Sequence, residues 1–273
     1  MAVLTALGVG VLVGVVVGAL GAGGGILSVP ALVYLLGQDP HDASAGSLVV
    51  VGLTAIVSLI APVRAGRVHW RDGLTFGLMS VLGALVGSRA SVAVDGHGAL
   101  VGSCASVAVD GTILMTLFCA MLAVVGLVML VRGLRSRWGS GEACDGGGSA
   151  RRSLPIIAAA ATFTGFLTGF FGVGGGFIVV PMLVLALGFP MKEASGTSLL
   201  VMIIASGAGL AARVGTHSNV DWPVVLAFAA ASMVGGLLGG PLTKRASAAA
   251  LTTVFGVLLL GVCAVTAYDL LLA

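Results

Sequence analysis

The chain has 273 residues, 58% of them hydrophobic and 8% charged, with a mean hydropathy of +1.17 and a formal net charge of +3. Soluble domains carry about a quarter charged residues, so this chain cannot cover a water-facing surface and reads as an integral membrane protein. No basic stripe with interleaved aromatics points to nucleic acid, and Cys104, Cys119, Cys144 and Cys263 form no CxxC or Cys/His cluster that would hold a metal.

The first apolar segment spans 2–20. It lacks the positively charged start of a signal peptide and has a counterpart at 154–171, so it reads as mature structure. "LGAGGGILSVP" (Leu20–Pro30) follows and leads into a short segment at 25–37. "ASAGSL" (Ala43–Leu48) opens the third segment, 43–62, which ends at a basic turn with Arg64, Arg67 and Arg71. The fourth segment is 72–90. It runs into a near-perfect tandem duplication, "GALVGSRASVAVDGH" (83–97) and "GALVGSCASVAVDGT" (98–112). Insertions are tolerated in exposed loops, and solvated loop residues are the simplest reading of Asp95, His97 and Asp110. The fifth segment is 112–131. "RGLRSRWGSGEACDGGGSARRS" (Arg132–Ser153) is polar, basic and rich in Gly and Ser, and reads as a linker.

The second half repeats the first. Its segments fall at 154–171, 176–188, 194–212, 222–240 and 248–272. At an offset of 151, "FGVGGGFIVVP" (Phe171–Pro181) falls on the earlier triple-glycine stretch, and "ASGTSL" (Ala194–Leu199) falls on "ASAGSL". Trp70 and Trp222 then pair at an offset of 152, and both suit interfacial anchors. The expected organisation is a first repeat at 1–132, a cytoplasmic linker at 133–153 and a second repeat at 154–273.

The second segment of each half is short. About 13 helical residues rise only about 20 Å, less than a hydrocarbon core of about 30 Å. The first two segments form either a re-entrant helical hairpin or a full helix followed by a short, stretched one; in both cases the chain emerges where it entered, each half crosses an odd number of times, and the halves lie upside down to each other. The expected fold is an all-α polytopic membrane protein of two inverted-topology repeats, each of about five helical segments, with broken or short helices at the glycine motifs. The linker arginines place it inside. The loop of Arg64, Arg67 and Arg71, the Lys192 loop and the Lys244–Arg245 loop then fall on the same side, against Arg213 and the ambiguous Arg89. Both termini are expected outside.

Glycines permit a tight turn in a backbone that lipid cannot satisfy. The helix that follows presents unpaired amides and a positive dipole end, which attract anions. Gly23, Gly24, Gly25, Gly174, Gly175 and Gly176 are thus substrate-binding candidates, with close helix packing as the alternative. The hydroxyls of Ser44, Ser47, Ser195, Thr197 and Ser198 can donate to oxyanions; N-capping and helix contact are the other use for them. Arg64 and Arg213 are candidate charge contacts, or else orientation signals. Asp42 and Glu193 suit helix starts, and no long apolar segment carries an acid, Lys or His at its centre.

"GxGGGxxxVP" at Gly21–Pro30 and Gly172–Pro181, each followed by "ASxxSL", resembles the sulfite exporter TauE/SafE family over 1–132 and 154–273. The resemblance implies an inner-membrane transporter of sulfite, sulfonates or related sulfur compounds, often working as an exporter. The 15-residue duplication departs from that pattern. The leading expectation is a secondary transporter of a small oxyanion working by alternating access, with a passive anion channel as the alternative. An intramembrane serine hydrolase would need a buried Ser–His pair, and His41, His69, His97 and His217 all fall in expected loops. GxxxxGK[ST] does not occur, so a gradient must drive transport. The expected partners are a small anionic substrate and the lipid bilayer, with no cofactor and no nucleic acid. A coupled ion and a homodimer stay open.

Overall fold

The computed structural model describes residues 2–21, 28, 40–93, 111–138, 154–171, 176–212 and 222–272. Every regular element among them is an α-helix. In chain order these are α1 (Ala2–Leu20), α2 (Pro40–Arg64), α3 (Trp70–Ala93), α4 (Gly111–Trp138) and α5 (Leu154–Phe171). They continue with α6 (Gly176–Leu185), α7 (Met191–Ala212), α8 (Trp222–Arg245) and α9 (Ala248–Leu272). A helix satisfies its own backbone, which is why a chain this apolar adopts little else in lipid. Among the described residues, five apolar stretches are long enough to cross a bilayer: Gly46–Arg64, Cys119–Ser136, Met191–Ala211, Trp222–Pro241 and Ala248–Thr266.

The helices follow the expected segments to within a few residues. The largest departure is α4, which runs on to Trp138 and carries Arg132, Arg135 and Arg137 on helix rather than in the linker. α6 has 10 residues, a rise of about 15 Å. It stops short of the expected 188 because Gly188 takes a left-handed conformation (φ +67°) and Phe189 N donates back to Leu183 O at 3.0 Å. The expected segment at 25–37 lies outside the described residues apart from Ser28. Of the duplication, 83–93 belongs to α3 and 94–110 lies outside the described residues.

Small residues bring the helices together. Gly10, Gly14 and Gly18 of α1 press on Phe228, Ser232 and Gly236 of α8, so these two helices run parallel. Ser58 and Ala61 of α2 meet Gly236 and Gly240, so α2 is parallel to α8 as well. α2 and α7 run antiparallel, through Leu48–Gly209, Gly52–Ser206 and Pro62–Gly196. α4 and α9 also run antiparallel, with Gly126 facing Gly256 and Gly133 facing Thr253. α3 lies along α7 through Gly73–Thr197 and Gly77–Ile204.

The same helix pairings recur when the halves are exchanged. α1 on α8 becomes α5 on α3, α2 on α8 becomes α7 on α3, and the pairs α2–α7 and α4–α9 map onto themselves. The correspondence reaches single residues. Gly14 faces the Ser232 carbonyl as Gly165 faces that of Ser80, and Gly235 faces that of Val11 as Gly83 faces that of Thr162.

Two apolar cores result. One joins Leu122, Met129, Phe255 and Leu259 to Leu183 and Phe189; the other joins Val17, Val51, Met202 and Phe228. Outer faces carry exposed Leu78, Leu82, Val124, Leu238, Val257 and Val265, a surface suited to lipid. Trp70 and Trp222, which open α3 and α8, are half exposed.

The helix directions gather charge at one end. Arg64, Arg67, Arg71, Arg132, Arg135, Arg137, Lys192, Lys244 and Arg245 all lie at the end formed by the C-termini of α1, α2, α4 and α8 and the N-termini of α3 and α7. The described ends of the chain, at Ala2 and Leu272, lie at the other.

Candidate functional site

At the basic end, the turn 65–69 joins α2 to α3 and is tied to α7. Arg67 N donates to Pro62 O (3.1 Å), and His69 N donates to Thr197 Oγ1 (3.3 Å). His69 Nε2 sits 2.9 Å from Glu193 Oε2, and its ring lies 4.9 Å from that of Phe189, tilted by 58°. Glu193 belongs to the first turn of α7, where unpaired amides favour a carboxylate. The first half is thereby latched to the second through polar contacts at the basic end.

Beside this latch lies a small cleft. Its polar wall is Arg67, Lys192, Ser195 and Thr243; its apolar wall is Gly18, Ala61, Pro62 and Gly240. Among the described residues, the lining carries two cations and no carboxylate. Its cavity volume is about 10 Å³, room for about one water. The wall is therefore positive and oxygen-rich, and the cavity is smaller than an oxyanion.

The hydroxyls around the cleft are committed to helix ends. α1 terminates at Gly21, which is left-handed (φ +63°) with its N–H on Val17 O at 2.8 Å. A helix C-terminus leaves carbonyls without partners. Here Thr243 Oγ1 donates to Ala19 O (3.0 Å) or Gly239 O (3.1 Å), and Ser198 Oγ to Gly21 O (2.9 Å) or Ser195 O (2.8 Å). Ser195 Oγ donates to Lys192 O at 3.1 Å. Among the described residues, the donors free to meet an anion at the cleft are the Arg67 guanidinium and the Lys192 ammonium, while the hydroxyls would have to exchange a backbone carbonyl for it.

Of the residues expected to bind substrate, Gly23, Gly24, Gly25, Gly174, Gly175 and Arg213 lie outside the described residues. Gly176 opens α6. Ser44 lies in the first turns of α2, and its side chain lies outside the described residues. Ser47, Ser195, Thr197 and Ser198 are all buried. The structure brings Ser195 and Ser198 against Gly21, so the "ASGTSL" stretch of one half meets the entry to the triple-glycine stretch of the other. It does not bring "ASAGSL" and "ASGTSL" together. The antiparallel register sets Ser198 near position 60 of α2, about 20 Å along the helix from Ser47. Arg64 is exposed at the end of α2 and does not line the cleft; Arg67 does.

Sequence reasoning passed over Thr243 and treated Lys192 only as an orientation signal. The "TKR" at 243–245 held a signal for Thr243, a hydroxyl just before a basic helix end. Ser28 was also missed. It lies three residues past Gly25, fully buried, with its Oγ unpartnered.

The profile of the sulfite exporter TauE/SafE family matches residues 6–266. A probable membrane transporter protein of Xylella fastidiosa (strain 9a5c) is 35% identical over 264 residues, covering 95% of this chain and 92% of the relative. The probable membrane transporter protein YunE of Bacillus subtilis is 27% identical over 243 residues, covering 86% of each chain. No solved structure matches. With five candidate spans and a family match over nearly its whole length, this multi-pass membrane protein belongs to the sulfite exporter TauE/SafE family.

Proposed function

We propose that the chain is a secondary transporter of a small sulfur-containing oxyanion, sulfite or an organosulfonate, exported from the cytoplasm across a bacterial inner membrane. The observation that carries this reading is the cleft in which Arg67 and Lys192 face Ser195 and Thr243 with no carboxylate in the wall. Guanidinium and ammonium groups make charge-assisted hydrogen bonds to oxyanions, and a partly desolvated cleft strengthens them. The family description supplies the chemical class.

The two halves act as inverted-topology repeats that rock against each other. Corresponding helices that cross antiparallel, α2 with α7 and α4 with α9, support that reading, as does the exchange of one set of contacts into the other. The basic end is cytoplasmic by the positive-inside rule, which puts both termini outside. The substrate enters at the cleft and crosses as the halves exchange which side is open. Alternating access requires one site that is exposed to the two sides in turn.

Counterflow in proteoliposomes tests the reading. Vesicles loaded with unlabelled sulfite should accumulate 35S-sulfite transiently above equilibrium, and chloride-loaded vesicles should not. Simple equilibration without overshoot would identify an anion channel instead. No sulfite-dependent uptake at all would remove sulfite as substrate.

A further inference from the structure

The cleft floor continues into a seam between α1, α2 and α8. Gly18, Ala61 and Gly240 line both. One turn deeper, Ser58 Oγ points at Gly236, and Gly236 also presses on Gly18 of α1. One turn deeper again lie Thr54 and Ser232. Thr54, Ser58 and Ser232 are each only 1% exposed, and none of their hydroxyls has a hydrogen-bond partner among the described residues. Hydroxyls in membrane helices ordinarily bond back to a carbonyl a turn earlier, as Thr164, Thr252 and Thr266 do here. Three orphans along one seam are therefore a destabilising feature that packing alone does not explain.

The other half shows that packing does not need them. At the same offsets, the positions of Thr54 and Ser58 are held by Ala205 and Gly209. Ser232 corresponds to Ser80, whose hydroxyl donates to Gly77 O at 2.9 Å. The equivalent seam closes with fewer hydroxyls and none of them orphaned at those positions. The α1–α2–α8 seam is unlike its counterpart in chemistry while alike in contact.

We propose that this seam is the inner part of the oxyanion route, closed in the present conformation, and that Thr54, Ser58 and Ser232 donate hydrogen bonds to the substrate when it opens. The proposal rests on the reading of the chain as an oxyanion transporter and names the residues below its cleft. Arg67 and Lys192 form the mouth, the hydroxyls form a ladder about one helical turn apart, and the glycines of α1 and α8 let the walls meet behind the substrate. The seam has no carboxylate to favour a cation, and hydroxyl donors suit an anion.

Two measurements test this. Thr54→Val, Ser58→Ala and Ser232→Ala, combined, should lower 35S-sulfite counterflow at least tenfold while leaving the apparent melting temperature of the purified protein equal to or above wild type. Structural hydroxyls would behave in the opposite way, and a fall in melting temperature would overturn the proposal. So would wild-type counterflow in the triple variant. The second measurement does not depend on the substrate's identity. The Ser58→Cys variant in inside-out vesicles should be modified by the anionic reagent 2-sulfonatoethyl methanethiosulfonate, with the adduct located at position 58 by mass spectrometry. Modification only by a cationic analogue would make the seam a cation or water route and overturn the anion assignment. Modification by neither would show that the seam does not open. If wild type fails to move sulfite but position 58 takes the sulfonate reagent, the choice of sulfite fails and the route stands.

Discussion

Substituting alanine at Gly14 and at Gly165 probes the helix contacts on which the whole arrangement depends. A Cβ at Gly14 would lie within 2.7 Å of the Ser232 carbonyl carbon and Cα, and one at Gly165 within 2.8 Å of the Ser80 Cα. The obstacles are backbone atoms, which cannot swing aside, so the helices must move apart. Carbon contacts relax at about 3.5–4.0 Å, so the required shift is about 1 Å. Overpacking of this kind costs about 1–3 kcal/mol. Gly8 and Gly261 have nothing within 4 Å of a built Cβ, so alanine there keeps only its helix-propensity gain of about 1 kcal/mol. Each kcal/mol moves the melting temperature by about 2–4 °C for a chain of this size. Thermal unfolding in detergent should therefore separate Gly14→Ala and Gly165→Ala from Gly261→Ala by about 2–12 °C, with similar losses at the two sites. If both variants melt within about 1 °C of Gly261→Ala, the α1–α8 and α5–α3 contacts are not as close as described.

Other expectations follow from the basic end and the helix pairing. Ser198→Ala removes the donor to the Gly21 carbonyl and should cost about 1–3 kcal/mol, read as a lower melting temperature. Glu193→Gln breaks a pair with His69 whose side chains are 42% and 35% exposed, and should change stability by less than about 1 kcal/mol. A larger loss would mean that the latch is more than a surface contact. Cys263 Sγ lies 3.3 Å from Cys119 O and Cys119 Sγ 4.0 Å from Cys263 O, so copper-phenanthroline oxidation should join α4 to α9. After protease cleavage within 139–153, the two halves should then stay together on a non-reducing gel; separation under oxidising conditions would contradict the antiparallel pairing.

Much of the helix layout was legible because lipid imposes one demand on every residue. A span must be apolar and must satisfy its own backbone, so hydropathy alone marks α2, α7, α8 and α9 to within a few residues of their ends. Linker composition misled at 133–138, because Gly133 and Ser136 looked loop-like while the helix runs on to Trp138. The contacts between helices were not legible in the same way. A membrane helix is apolar on all sides, so no periodicity says that Gly14 will face Ser232 or that Gly18 will face Gly236. The cleft draws Arg67 from the α2–α3 turn, Lys192 from the start of α7 and Thr243 from the end of α8, positions that only the folded chain makes neighbours. The hydroxyls of "ASGTSL" were visible as polar groups in an apolar run, but not the carbonyls they cap. Ser198 has its oxygen on Gly21 and Ser195, and Thr197 accepts from His69.

The most direct test of the account is binding itself. Purified protein should show a dose-dependent rise in melting temperature with sulfite or a small sulfonate, beyond that given by chloride at equal ionic strength, because a ligand that binds the native state stabilises it. Arg67→Gln and Lys192→Gln should remove most of that rise while leaving the unliganded melting temperature near wild type. An equal response to all anions, or a selective response that both variants retain, would contradict the claim that the basic cleft receives the substrate.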